Sequence, residues 1–131
     1  MTLRFHATLL GCAILLAGCA SPTSERAGEP ASDQAERDLQ QIRQSYSAGA
    51  YGDVIRQVAH ADALAQAPQS MRIEAWKLQA FSYCVTDHRV LCEAGFRRIL
   101  QADPAFTLEP NEAGHPQWGP AYERARAAPA G

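Results

Sequence analysis

The sequence is poor in net positive charge, in long apolar runs beyond its first residues, and in the spacings that build catalytic or metal sites. Lys and Arg number 12 against 14 Asp and Glu, leaving a net charge of −2. A nucleic-acid binder needs a basic face to displace counterions from phosphates, and a membrane-surface protein needs a polybasic patch. The charge balance argues against both. After residue 18 no uncharged run reaches the length that spans a bilayer as a helix. The histidines, His6, His60, His88 and His115, fall into no ligand spacing such as H-E-x-x-H. No C-x-x-C is present, which removes the redox-enzyme reading. G-x-S-x-G, S-x-x-K and a Gly-rich phosphate loop are missing as well. Glu74, Glu93 and Glu123 read as solvated helix surface. The expectation is a non-catalytic protein with no metal, no cofactor and no small-molecule substrate.

What is present starts with an export signal over residues 1–18. Arg4 supplies the positive end, and Ala7 to Leu16 an apolar core too short to span. Leu16-Ala17-Gly18-Cys19 matches the lipobox of bacterial lipoproteins. That resemblance implies that Cys19 is diacylated on sulfur and becomes the mature N-terminus. Two or more acyl chains give stable anchoring, at about 0.8 kcal/mol per buried methylene. Ala20 stands where inner-membrane lipoproteins of enteric bacteria carry Asp, so the same resemblance implies the outer membrane, facing the periplasm. Residues 19–32 read as the lipidated cysteine and a tether rich in Ser, Pro and Gly. From Ala20 to Ser32 this tether reaches roughly 20 Å on average and about 43 Å fully extended.

From Asp33 the apolar period is helical and no strand-like alternation occurs, so the fold class is all-α. Ala35, Leu39, Ile42 and Tyr46 form one stripe, capped by Ser32 or Asp33 and stopped at Gly49. A second helix is expected over Tyr51 to Ala65, with Val54, Ile55, Val58 and Ala61 inward. A third runs from a Ser70 cap to about Thr86. A fourth starts after Asp87 or His88, carries Cys92, Phe96 and Ile99, and stops before Pro104. Trp76, Tyr83, Phe96 and Pro104 are separated by 7, 13 and 8 residues, which resembles the large residues and terminal proline of a tetratricopeptide repeat. Val54, Val58 and Ala61 recur 38 residues later as Cys92, Phe96 and Ile99. The expectation is two such helical hairpins over residues 33–106. Two hairpins leave one apolar face open, so residues 107–131 must supply a loop and a capping helix begun by Pro120. Trp118 is the residue expected to plug that face.

The periplasm is oxidising, and Cys84 and Cys92 face each other across the second hairpin. They either form a disulfide, adding on the order of 2–3 kcal/mol, or pack as reduced small residues. Stacked hairpins present a concave face built from their first helices. Arg43, Glu74, Lys77 and Phe81 are the candidate partner-binding residues there. The alternative makes Phe81 core and the other three solvated surface.

Ala80-Phe81-Ser82-Tyr83-Cys84-Val85-Thr86, Leu91-Cys92, Phe96, Asp103-Pro104-Ala105-Phe106 and Glu112-Ala113-Gly114-His115-Pro116 with Trp118-Gly119-Pro120 resemble one family. It is that of the type VI secretion-associated lipoproteins called TssQ, and the G-H-P-x-W-G-P run is the most specific piece. The resemblance implies an outer-membrane lipoprotein with tetratricopeptide-like helices, bound to protein components of a secretion apparatus. A pilotin lipoprotein, which escorts secretin subunits, is the rival. An envelope enzyme is a third reading, disfavoured by the missing nucleophile and metal signatures.

Overall fold

Helix α1, Asp33–Ser47, starts where Ser32 turns its hydroxyl onto the Ala35 amide at 3.2 Å. Asp33 and Glu36 in its first turn favour the positive end of the helix dipole. Of the two cap candidates, Ser32 serves. Ala35, Leu39 and Ile42 are buried along one stripe, with Tyr46 half-buried beyond them. A computed structural model describes residues 31–128; the signal segment, Cys19 and the tether through residue 30 lie outside the described residues.

The chain continues as α2 (Tyr51–His60), α3 (Asp62–Ala65), α4 (Gln69–Val85), α5 (Arg89–Ala102) and α6 (Gly119–Ala127). The class is all-α, with no strand among the described residues. Helices α1 and α2 form a first hairpin, α4 and α5 a second, and α6 packs on α5.

Both hairpins turn through the same backbone device. After α1, Gly49 takes φ +72°, its amide donates to the Tyr46 carbonyl and the Ala50 amide to the Ser45 carbonyl. After α4, Asp87 takes φ +61°, its amide donates to Cys84 and the His88 amide to Tyr83. This is the Schellman closure, with glycine in one copy and aspartate in the other. Gly49 and Asp87 are 38 residues apart, so the turns keep the register of the sequence repeat.

The expected second helix is two. Ala61 adopts ψ +77°, which ends α2 at His60, and α3 then makes a single turn. The redirection carries Leu64 and Ala67 into the core, whereas Ile55, Val58 and Ala61, expected to face inward, stay half-buried. The four residues of α3 match the excess of a 38-residue unit over the usual 34. Helix α4 also starts one residue before the expected cap. Pro68 is its N-cap, its carbonyl accepting from Met71 and Arg72, and Ser70 lies inside the helix.

Two apolar clusters share α4. One joins Ala35, Leu39, Ile42 and Val54 to Leu64, Ala67 and Ala75. The other joins Phe81, Phe96 and Ile99 to Leu108, Trp118 and Tyr122. Tyr46 packs against both. Helices α4 and α5 approach so closely that a Cβ built on Gly95 would stand 2.8 Å from the Ala80 Cβ.

Candidate functional site

The first helices of the two hairpins, from which a concave face is expected, are α1 and α4, and they pack against each other. Arg43 on α1 reaches Glu74 on α4 in a two-pronged ion pair, Nε to Oε1 at 2.6 Å and Nη2 to Oε2 at 2.7 Å. Hydrogen bonding to Glu74 raises the Arg43 pKa above the ordinary guanidinium value. Both side chains are well solvated, so the pair orients the helices while contributing about 1 kcal/mol or less.

Further along α4 the face is already occupied. Lys77 Nζ lies 2.6 Å from Glu112 Oε1, both side chains being less than one-fifth exposed. Phe81 is 2% exposed. The indole of Trp118 stacks on it at 4.2 Å between centroids, and the His115 ring covers the other side of the indole at 3.4 Å. Trp118 Nε1 donates to the Glu112 carbonyl at 3.0 Å. The loop between α5 and α6 therefore lies over α4 as a lining of the chain's own making. Burial of the Tyr46 hydroxyl between these elements, then the nearby Tyr51 and Glu112, pushes its pKa up.

Phe81 is thus corrected from groove to core, because a phenyl ring sandwiched under Trp118 has no surface to offer a partner. Lys77 is corrected in the same sense, its charge being spent on Glu112. Glu74 is tied to Arg43. Arg43 alone of the four lines an open cleft, of about 630 Å³, walled also by Asp33, Glu36, Arg37 and Gln40, with half-buried Met71 at its base and buried Leu39 beneath. The sequence reading missed Glu112 as the partner of Lys77. They are 35 residues apart, and no local pattern marks a contact of that range.

Cys84 and Cys92 are joined in a disulfide, their Cα atoms 4.9 Å apart. It closes the hairpin at its Asp87 turn, beside a second cleft of about 410 Å³ walled also by Pro116, Pro120 and Arg124. Among the described residues no three His, Cys, Asp or Glu side chains converge as a metal ion would require. No described helix is long and apolar enough to cross a membrane.

Comparison of the chain with models of protein families, with curated proteins and with solved structures finds no match. The functional reading therefore rests on the motifs of this sequence and on the geometry above.

Proposed function

We propose that this chain is a lipid-anchored periplasmic protein of the outer membrane that holds a protein component of a type VI secretion system and carries out no catalysis itself. The observation that carries the reading is the division of the first-helix face. The stretch of α4 around Lys77 and Phe81 is sealed by the tail, and the side on α1 is left as an open cleft of mixed charge. Such a cleft suits an extended or helical segment of another protein, the charged and polar rim giving register. The lipobox ending at Cys19 supports the anchoring, and the G-H-P-x-W-G-P run supports the family and hence the apparatus.

The test uses the native host. A photo-crosslinking residue in place of Gln40, which is exposed on the cleft wall, should trap a component of the contractile machine. Deletion of the gene should abolish effector release while secretin multimers assemble normally. Lost secretin assembly with intact effector release would replace this reading with the pilotin one. Cys19→Ser should leave unprocessed precursor without acyl label, and normal processing of that variant would end the lipoprotein reading.

A further inference from the structure

On a different side of α4, two arginines share one indole ring. Arg98 of α5 places its guanidinium carbon 3.9 Å from the centroid of Trp76, and Arg72, one turn before Trp76 on α4, places its own at 5.7 Å. Every other Lys or Arg among the described residues except Arg37 has a carboxylate within ion-pair distance. Arg37 hydrogen-bonds Gln34. Arg72 and Arg98 have neither, and the Arg72 Nε is enclosed without any hydrogen-bond acceptor. At 100° per residue Trp76 lies roughly 140° around α4 from Phe81, half-buried at the edge of the same apolar cluster.

Two like charges held against one ring repel, and burying them adds to the cost. The Arg98 pKa is accordingly lowered, first by burial and then by the charge of Arg72. The indole face offsets part of this through cation–π attraction, which holds the guanidinium planes without consuming their N–H donors. The result is a fork of donors with no acceptor from the described chain, set above a half-buried aromatic floor. Guanidinium donors left without an acceptor in this way are matched by an oxyanion.

We propose that Arg72, Trp76 and Arg98 form a second contact site, taking a Glu or Asp side chain from an acidic segment of a partner protein. This inference rests on the reading of the chain as a protein binder. A protein carboxylate is favoured over a polyanion because the cationic patch is only two residues wide on a chain of net charge −2, too little for a phosphate backbone or an anionic leaflet.

The experiment titrates the purified full chain with a fluorescein-labelled hexaglutamate peptide at low ionic strength, read by fluorescence anisotropy. Arg72→Gln and Arg98→Gln should each weaken binding about tenfold, whereas Arg56→Gln, an exposed α2 position outside both clefts with the same change of net charge, should leave it unchanged. Arg98→Lys should bind between wild type and Arg98→Gln, since the charge stays and the fork is lost. Should Arg98→Gln fail to fold, judged by far-ultraviolet circular dichroism, Arg72→Gln and Arg98→Lys decide. Equal binding by wild type, Arg72→Gln and Arg98→Lys overturns the site, as does weakening by Arg56→Gln to the same degree. Displacement of the peptide by inorganic phosphate as readily as by unlabelled hexaglutamate would make it a simple anion site. Sedimentation with phosphatidylglycerol vesicles that the Arg variants lose would make it a membrane contact. Crosslinking from Gln40 to the apparatus with no peptide bound by wild type defeats this site alone. Absence of that crosslink defeats the reading it rests on.

Discussion

Replacing Trp118 by alanine tests the claim that the tail is a structural cap. The indole is 8% exposed, so nearly all of a surface of up to about 250 Å² is removed from water. At about 25 cal/mol per Å² that burial alone is of order 5 kcal/mol, an upper bound because alanine keeps part of it. Large-to-small aromatic replacements in cores cost about 3–5 kcal/mol. The stack on Phe81 and the hydrogen bond to the Glu112 carbonyl place this site within that range. For a domain of this size each kcal/mol moves the melting temperature by about 4–8 °C, so a fall of roughly 15–30 °C is expected. Circular dichroism melting of the purified protein measures it, and dye binding should report the exposed face over Phe81. Trp118→Phe keeps the stack and gives up the hydrogen bond, for about 1–2 kcal/mol. A Trp118→Ala protein that melts within about 2 °C of wild type yet stops secretion would refute the cap. It would make Trp118 a contact residue.

Further outcomes follow from the same geometry. Gly95→Ala should destabilise by about 1–3 kcal/mol in chemical denaturation, because its Cβ would meet the Ala80 Cβ at 2.8 Å and force α4 and α5 apart. Asp87→Gly should raise stability by about 0.5–1 kcal/mol in the same assay, relieving the φ of +61° at the second turn. Intact-mass measurement after alkylation without reductant should find no label on Cys84 or Cys92, and reduction should cost about 2–3 kcal/mol. Glu93 on α5 accepts from Arg124 on α6 at 2.9 Å and also pairs with Arg97, and these hydrogen bonds lower its pKa below 4.5. A carboxyl lowered on folding stabilises the fold above its unfolded pKa and loses that contribution as pH falls through the folded value. Wild type should therefore melt above Glu93→Gln at pH 7, and the two curves should converge in acid below pH 4.5. A gap that persists there would show that the link is not electrostatic.

Much of the helical framework is local and was open to reading from the chain. The stripe of Ala35, Leu39 and Ile42, the closure at Gly49, and Pro120 at the head of the last helix are written in side-chain period and backbone preference. Cys84 and Cys92 were placed by the hairpin that separates them, which is a local relation too. The break at Ala61 was hidden, since no glycine or proline marks it and the gain comes from Leu64 and Ala67 reaching the core. The candidate groove failed at Phe81 and Lys77 for the same kind of reason. Helical period places a residue on a face, but whether that face meets water depends on what folds across it. Here Glu112 and Trp118 return from 35 and 37 residues away to cover it. The pairing of Arg72 and Arg98 over Trp76 is likewise tertiary, two like charges brought to one ring by α4 and α5. Sequence alone determined the class, the hairpin register and the cap, because those follow from short-range periods and turn chemistry. Which parts of the surface stay open was decided only when distant segments packed, because occlusion depends on contacts between residues far apart in the chain.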